Sequence, residues 1–438
     1  MKFKRRELLK LAAFQSAVLA VPVKAQAETG FRRDGISILQ GATDETHTQF
    51  SVVHMVGRDF DFKVIHPRAH NIFPDRVEVI QPEGSYYRLT RLFFSNLELL
   101  DTPYALAVLD RETQNFVDVR QFKTVDLEKP DLRFALCSCM DDGLHTPGIW
   151  QDLNIEKPDV IFFLGDSVYC DKETTIAASN ANPHKLFRRF CEGRLTLEIY
   201  FSQRLTPIIA TWDDHDFAQN DTGSQFPFVK ESQENFLSFF MQESAYCRGL
   251  ENGPGVSSAF VMGRQQFILL DDRSYRSFQG SRDPHAHWGK EQQTWFINRV
   301  RNHDGPTWLF NGSQFFPKMM FKESVSGDHP VQLETLVQEL RQSGKKIIFG
   351  SGDVHFSEIS KIEPEQLGYT TFELTSSSIH SNRWPGIPDI VWNHRRIRST
   401  GNHNYLLVKA RAENLGVTAA VESRSEHRGL NFSFDFSL

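Results

Sequence analysis

The sequence predicts an α/β fold preceded by a smaller β domain, and three patterns support this prediction. Short apolar runs such as Val160–Leu164 are too short for ordinary helices and favour strands that are buried on both faces. From Leu132 onward, such runs alternate with helix-like segments, as in α/β architecture. Before about residue 128, the strand-like segments are separated by Pro and Gly, without an amphipathic helix between them.

Length and charge limit the classes of protein to which the chain can belong. With 438 residues it is long enough for a large core and more than one domain. Its formal net charge of −6 argues against a nucleic-acid-binding surface. The five cysteines are an odd number, so at least one is unpaired or has another role.

The N-terminus predicts a twin-arginine signal peptide over residues 1–27. Arg5 and Arg6 precede an apolar segment over residues 8–23, and Ala25-Gln26-Ala27 fits a cleavage site. The apolar segment is too short and too weakly hydrophobic for a permanent membrane anchor. We therefore expect contact with the twin-arginine export machinery and a periplasmic or secreted protein. The alternative is a basic N-terminal helix of a cytoplasmic protein.

The remainder divides into two predicted domains. Residues 28–128 predict a small β-sandwich of fibronectin or immunoglobulin type, and residues 129–438 form the α/β domain, after a linker at Glu128-Lys129-Pro130. The predicted strands of the first domain lie at residues 49–53, 60–65, 104–109 and 116–125. In the second domain we predict helices at residues 183–205, 230–248, 290–301 and 331–343, and closing strands at 404–411, 417–423 and 430–436.

Polar residues follow the predicted strands of the second domain at the point where each strand ends. The strongest examples are Cys139, Asp166 with Tyr169, Asp213 to Asp216, Asp271 to Arg273, and Asp353 with His355. Any one of them is typical of a helix cap or a turn. Because chemistry in open α/β sheets sits at the carboxyl ends of strands, we expect them to meet at one edge of one sheet. So many carboxylates would repel one another without cations, and the mixture of thiol, phenol, carboxylate and imidazole predicts a metal centre.

Several motifs together resemble one family over about residues 132–410. They are Ser138-Cys139, Leu164-Gly165-Asp166-x-x-Tyr169, Trp212 to Asp216 with Asn220-Asp221, Leu270 to Arg276, Trp288-Gly289-x-x-Gln292, and Gly352 to His355. In this combination and order they resemble the alkaline phosphatase D (PhoD-like) metallophosphoesterases. Ser167 and Cys170 depart from the family pattern, which bears on substrate preference more than on the metal site. The resemblance implies a four-layer α/β/β/α metallophosphoesterase core behind the small β domain.

The resemblance also implies a centre of Fe(3+) and Ca(2+), with zinc or manganese as the alternative. Cys139, Asp166 and Tyr169 correspond to iron ligands, and Asp166 would bridge the two ions. Asp353 and His355 lie in the last metal-binding loop, and Asn220 or Asp214 would complete the calcium side. His215 would stand near the leaving-group oxygen, which makes His215, Asp214 and Asp166 the candidate catalytic residues.

The predicted function is hydrolysis of phosphate esters, as an alkaline phosphatase or phosphodiesterase. In this mechanism a metal-bound hydroxide attacks phosphorus, and His215 or water protonates the leaving oxygen. The alternative is a non-catalytic surface protein that binds phosphate or glycans. Arg273, Arg276 and Arg383 are candidates either for gripping phosphate or for structural ion pairs. Cys137 is predicted to be core, and Cys170, Cys191 and Cys247 receive no role. Asp171 is expected either at the surface or behind the residues that bind the metal.

Overall fold

The computed structural model describes residues 35–68, 70–172, 182–318, 322–383, 386–413 and 416–438. The predicted signal peptide over residues 1–27 lies outside the described residues. The expected mixed α/β fold is confirmed, because a helix-free β region precedes a region of alternating strands and helices. The domain boundaries at residues 27 and 128 stay predictions.

The N-terminal region contains two four-stranded antiparallel sheets. Their strand orders are β1-β2-β6-β5 and β4-β3-β7-β8. Phe50 and Leu92 from the first sheet share one apolar cluster with Phe62, Leu106 and Phe122 from the second, so the sheets bury a common core. The strands are β1 Ile36–Gln40, β2 Thr48–Met55, β3 Phe60–Ile65, β4 Asn71–Ile72, β5 Arg76–Ile80, β6 Tyr87–Phe94, β7 Tyr104–Asp110 and β8 Phe116–Phe122.

The second region contains a six-stranded mixed sheet, formed by the first three and the last three strands of that region. Its order is β11-β10-β9-β20-β21-β22, in which β11, β10 and β9 run parallel and the closing strands are antiparallel. The strands are β9 Asp131–Cys137, β10 Val160–Leu164, β11 Ile208–Thr211, β20 Tyr405–Glu413, β21 Gly416–Ser425 and β22 Gly429–Ser437.

The second large sheet has eight strands in the order β12-β13-β14-β15-β16-β18-β17-β19. Its central strands β14, β15, β16 and β18 are parallel. The strands are β12 Leu250–Asn252, β13 Ser258–Met262, β14 Gln265–Leu269, β15 Thr307–Phe310, β16 Ile347–Ser351, β17 Ser357–Ile362, β18 Thr371–Thr375 and β19 Arg396–Thr400.

The apolar run Val160–Leu164 forms β10 and explains how the two large sheets pack. Phe162 lies in a cluster with Phe134, Phe267 and Trp308, which contains side chains of both sheets. The Phe134 ring centroid lies 5.6 Å from that of Phe162 and 5.1 Å from that of Trp308. On the other face of β10, Phe163 packs in a separate cluster with helix side chains. A strand covered on both sides has no polar face, which is why the run is uninterrupted.

Helices cover the outer faces of the two large sheets. Trp150, Phe190 and Phe236 pack in the cluster with Phe163 of the six-stranded sheet, whereas Phe296 and Leu336 pack in the cluster of the eight-stranded sheet. The helices are α1 Pro147–Glu156, α2 Pro183–Arg194, α3 Asp214–Phe217, α4 Val229–Phe240, α5 Gly289–Asn302, α6 Val325–Asp328, α7 Pro330–Ser343, α8 Pro364–Leu367 and α9 Ile387–Ile390. Within the described ranges, none of these helices has both the length and the apolar character needed to cross a bilayer.

Two predicted helices are shorter than expected, and the three-turn helix α1 and the four-residue helices α3, α6, α8 and α9 were not predicted. The helix predicted over 183–205 ends at Arg194 and gives way to a 3-10 turn at Glu198–Phe201. The helix predicted over 230–248 ends at Phe240 because Met241 takes a left-handed conformation with φ of 54°, a common way to end a helix. Helix α1 was not predicted, although Pro147 at its first turn is a helix-start signal.

Helix α2 connects the N-terminal region to the second region. The buried guanidinium of Arg194 donates to Ser51 Oγ at 2.8 Å and to the Ser51 carbonyl at 3.0 Å. One and a half turns earlier, Arg189 donates from Nε to the Tyr169 carbonyl at 3.2 Å. Hydrogen bonds from a charged donor are stronger than neutral ones. The helix therefore ties strand β2 to the loop that carries Tyr169.

Candidate metal centre

The predicted site residues come from the carboxyl ends of parallel strands in both large sheets. Cys139, Asp166 and Asp214 follow β9, β10 and β11 of the six-stranded sheet, whereas Asp353 and His355 follow β16 of the eight-stranded sheet. The prediction that they meet at one edge of one sheet is therefore wrong. Strand pairing separates them into two sheets, and the packing of those sheets brings their strand ends together.

The loops from the two sheets touch at Gly352 and Ser138. Ser138 Oγ donates to the Ser376 carbonyl at 2.6 Å, which joins the loop after β9 to the loop after β18. A Cβ atom built on Gly352 would lie 2.7 Å from both the Leu164 carbonyl oxygen and Ser138 Oγ. Only glycine permits this approach, which places the Asp353 loop directly over the end of β10.

One group of ligand-type atoms lies around Asp166. Its Oδ2 is 3.5 Å from Cys139 Sγ and 3.3 Å from the Tyr169 hydroxyl. The same hydroxyl lies 3.5 Å from His355 Nε2. Ligand atoms of Cys139, Asp166 and His355 all lie within 4.8 Å of one another. Four residues predicted as metal ligands are thus brought together.

The backbone of this group is strained. Cys139, Asp166, Asp353 and His355 have φ values of 56°, 53°, 65° and 62°. Non-glycine residues adopt this left-handed region uncommonly, and each such residue costs on the order of 1–3 kcal/mol. Such strain concentrates at functional sites, where the surrounding structure holds a side chain in a particular direction.

Two carboxylate oxygens, one in the group and one on the neighbouring Asp353, lack hydrogen-bond partners among the described residues. Asp166 Oδ1 and Asp353 Oδ2 are buried and accept no hydrogen bond from any described residue. An unsatisfied buried polar atom costs about 1–3 kcal/mol, and more when it is charged. A cation bound at these oxygens would remove that cost. The donor set and its orphaned oxygens therefore fit a metal ion.

The ionisation of the group supports the same interpretation. Burial raises the pKa of Asp166 well above its ordinary value. Burial, and after it the nearby Asp166, also raises the pKa values of Cys139 and Tyr169. Burial lowers the pKa of His355 to about 3, so its ring is neutral and able to bind a metal. A bound cation would lower these raised pKa values and favour the ionised forms that bind metals.

A second group of acids extends the site away from Cys139. Ligand atoms of Asp214 lie within 4.8 Å of those of Asp166 and His215, and also of those of Asp221 and Glu323. Burial would raise the pKa of Asp214, but His215 and Arg273 hold it below its ordinary value. Glu323 was missed by the sequence analysis, and Asp221 was noted only as part of a motif.

Asn220, which was predicted as a ligand, is exposed. Its backbone N–H donates to Asp171 Oδ2 at 3.3 Å. Its role as a metal ligand stays a prediction.

His215 is oriented by Asp171, for which the sequence left open a surface position or a place behind the ligands. Asp171 Oδ1 lies 2.7 Å from His215 Nδ1, and the centroid of the His215 ring lies 4.3 Å from that of Tyr169, with the two rings tilted by 33°. Burial alone would lower the pKa of His215, but Asp214, Asp166 and Asp171 raise it to about 10. These carboxylates therefore favour the protonated ring, and Asp171 holds it in one orientation next to Asp166 and Asp214.

Comparison with known proteins is consistent with this geometry. The family model of PhoD-like phosphatase matches residues 134–420. The chain belongs to the PhoD-like phosphatase family. This confirms the resemblance drawn from the sequence motifs.

One curated relative and one solved structure extend the comparison. Alkaline phosphatase D of Bacillus subtilis is 25% identical over 302 residues, which cover 59% of this chain and 50% of that protein. This chain therefore spans about half the length of that curated relative. A solved structure of PhoD matches with a TM-score of 0.70 at 18% identity, over 93% of this chain and 89% of the other. At 18% identity, this similarity shows that the two chains share a fold.

Two of the three candidate arginines have structural partners in this PhoD-like chain. Arg273 is fully buried and pairs with Asp213 and Glu323, and Arg276 pairs with Glu323 and Asp328. The structural alternative is therefore confirmed for both residues. Arg383 is exposed.

The cysteines other than Cys139 contribute to packing. Cys137, Cys170, Cys191 and Cys247 are buried and free of disulfides. Cys137 lies in the apolar cluster beside β10, as predicted for a core residue. Burial raises the pKa values of their thiols, which makes them poor nucleophiles.

Gly165 offers a test of how tightly the Asp166 loop is held. It has φ of +94°, and an added Cβ would lie 2.5 Å from Asp213 Cβ and 2.8 Å from Asp213 N. We expect Gly165→Ala to lower the free energy of unfolding by about 3 kcal/mol or more, because backbone strain and overpacking add. Denaturant unfolding measures this change.

The matched control is Gly368→Ala. Gly368 has a similar φ of +86° but no heavy atom within 4 Å of an added Cβ. The free energy of unfolding of the Gly368→Ala variant should fall by only about 1 kcal/mol, because the variant has the backbone strain but no overpacking. Equal losses in the two variants would contradict the close packing described for Gly165.

Proposed function

We propose that this chain is an exported, metal-dependent phosphoesterase that hydrolyses phosphate monoesters or diesters. One observation carries the proposal: a buried thiol, phenol and carboxylate and a half-buried imidazole converge on a strained backbone, where two carboxylate oxygens have no partner among the described residues. Membership of the PhoD-like phosphatase family supports the same reaction class. The name of the curated relative, alkaline phosphatase D, agrees with it.

We assign the ligands as follows. Cys139, Tyr169 and His355 would hold Fe(3+), and Asp166 would lie between it and Ca(2+). Asp353, with Asp214 or Asn220, would hold the calcium ion. Zinc or manganese is the alternative pair. Bound ions would polarise the phosphoryl oxygens and lower the pKa of water to generate the nucleophile.

The residues of the chain have separate tasks in this proposal. His215 holds a proton beside Asp166 and Asp214, where it can pass to the leaving-group oxygen. Asp171 fixes the ring by accepting a hydrogen bond from Nδ1. Asp214 keeps His215 protonated through its negative charge. Burial of Cys139, Asp166 and Tyr169 lowers the local dielectric constant, which strengthens each electrostatic contact.

The finer organisation of the molecule is part of the same proposal. We interpret the two N-terminal sheets as a β-sandwich domain over residues 28–128 and the two large sheets with their helices as the four-layer α/β/β/α core. Residues 1–27 would direct the chain through the twin-arginine pathway to the periplasm or outside. The partners would then be a phosphate-ester substrate and the export machinery.

A non-catalytic phosphate- or glycan-binding protein is the alternative function. It would require no proton donor at the site. The Asp171–His215 pair, held beside the ligand group, favours the enzyme.

The first test compares Asp166→Asn with Asp171→Asn. The purified protein should contain bound metal by elemental analysis and hydrolyse p-nitrophenyl phosphate or its bis ester. Asp166→Asn should lose the metal and lower kcat by about 1,000-fold or more, because Asp166 belongs both to the group with Cys139 and His355 and to the group with Asp214 and His215. Asp171→Asn should keep the metal and lower kcat by about 10- to 100-fold, as for the loss of an orienting partner.

Two results would contradict the proposal. A wild-type protein with neither metal nor hydrolysis would favour the non-catalytic alternative. An Asp166→Asn variant with full metal content would remove Asp166 from the ligand set.

The second test identifies the metal beside Tyr169. If the phenolate binds ferric iron, the protein should be coloured through a visible charge-transfer band. Tyr169→Phe should abolish this band. Tyr200→Phe is the matched control, because Tyr200 is equally buried but lies outside the ligand group. A colourless protein with full activity would instead support zinc or manganese.

A further inference from the structure

Lys322 is a cation at the mouth of the candidate centre that the ligand set does not use. Its Nζ lies 3.4 Å from the Asp353 carbonyl and 3.5 Å from Asp353 Oδ1. These are long distances for an ion pair, since charged N–H···O contacts are commonly about 2.7–2.9 Å. The side chain is 34% exposed, whereas Asp353 is 14% exposed. The ammonium therefore faces both the site and the solvent.

The segment around Lys322 holds the residue in place. The next residue, Glu323, accepts from Arg273 Nη1 at 2.8 Å and pairs with Arg276 Nη2 at 2.9 Å. Ser324 then caps helix α6 by accepting from Gly327 N at 3.0 Å. Two buried guanidiniums and a helix cap thus anchor the backbone directly after Lys322. This anchoring distinguishes it from an ordinary surface lysine.

Among the described residues, Arg273, Arg276 and Lys172 have closer partners than Lys322. Arg273 and Arg276 are buried in ion pairs with carboxylates. Lys172, on the opposite rim, pairs with Asp141 and lies 4.3 Å from the centroid of the Tyr169 ring.

We propose that Lys322 binds a non-bridging phosphoryl oxygen of the substrate and makes the site prefer phosphate monoesters to diesters. A monoester has three non-bridging oxygens and about two negative charges at neutral to alkaline pH, whereas a diester has two such oxygens and one charge. A point charge at the mouth attracts the dianion more strongly, and its hydrogen bond needs the third oxygen. In a diester the second ester group takes that position. The inference rests on the proposed phosphoesterase function.

The test measures kcat/KM for p-nitrophenyl phosphate and for bis(p-nitrophenyl) phosphate in the metal-loaded protein. Lys322→Gln should lower the monoester value by about 10- to 100-fold, as for loss of a charged hydrogen bond, and the diester value by less than about 3-fold. The inhibition constant of inorganic phosphate should rise by about the same factor by which the monoester kcat/KM falls. Metal content should not change. Lys322→Arg should retain most of the monoester preference.

Lys318→Gln is the matched control, because it removes an exposed lysine near Lys322 in the sequence. It should change neither the ratio of the monoester to the diester kcat/KM nor the inhibition constant of inorganic phosphate. If the glutamine variant does not fold, Lys322→Met is measured in the same way. Equal losses on both esters, no loss on either, or loss of metal from the variant would overturn the proposal. A wild-type protein that hydrolyses neither ester would instead overturn the proposed function itself.

Discussion

The burial of the Asp166 carboxylate is the constraint on which the rest of the site depends. Asp166 is 1% exposed, lies on left-handed backbone, and is surrounded by Cys139, Tyr169 and Asp214. A buried carboxylate is costly unless a proton, a hydrogen bond or a cation compensates it. One of its oxygens has no such partner among the described residues. A cation bound by Asp166 and its neighbours would compensate the cost of burying all of these polar groups.

The fold supplies this arrangement by packing two sheets face to face. β10 contributes Phe162 to the core between the sheets and Phe163 to the core under the helices, so its end cannot move independently. Gly165 and Gly352 allow the loops beyond the strands to touch without side chains between them. Helix α2 adds a long-range support, because Arg194 holds strand β2 and Arg189 holds the Tyr169 carbonyl. The N-terminal sheets are in this way mechanically connected to the candidate centre.

Sequence reasoning succeeded where a feature is local and failed where it depends on distant packing. The bounds of β10 were predictable because an uninterrupted apolar run requires cover on both faces. The residues that follow the strands could be predicted as candidate metal ligands, because carboxylates, thiols and imidazoles are unusual together at these positions. The division into two sheets was not predicted from the residues, since strand pairing is non-local.

Three residues at the site could not be predicted for the same reason, since each reaches the site through contacts between distant parts of the chain. Asp171 becomes significant only when His215, 44 residues later, lies 2.7 Å away. Glu323 and Lys322 follow no strand directly and reach the site because Arg273 and Arg276 hold Glu323. No sequence spacing signals these contacts.

The most direct measurement of the central claim is anomalous X-ray diffraction from crystals of the metal-loaded protein, recorded on both sides of the iron absorption edge. The account predicts an iron peak at coordination distance, about 2.0–2.3 Å, from Cys139 Sγ, an Asp166 oxygen and a His355 ring nitrogen. A peak at the same position that responds at the zinc or manganese edge would keep the site and change the metal. A metal-loaded crystal without an anomalous peak between these three side chains would contradict the account.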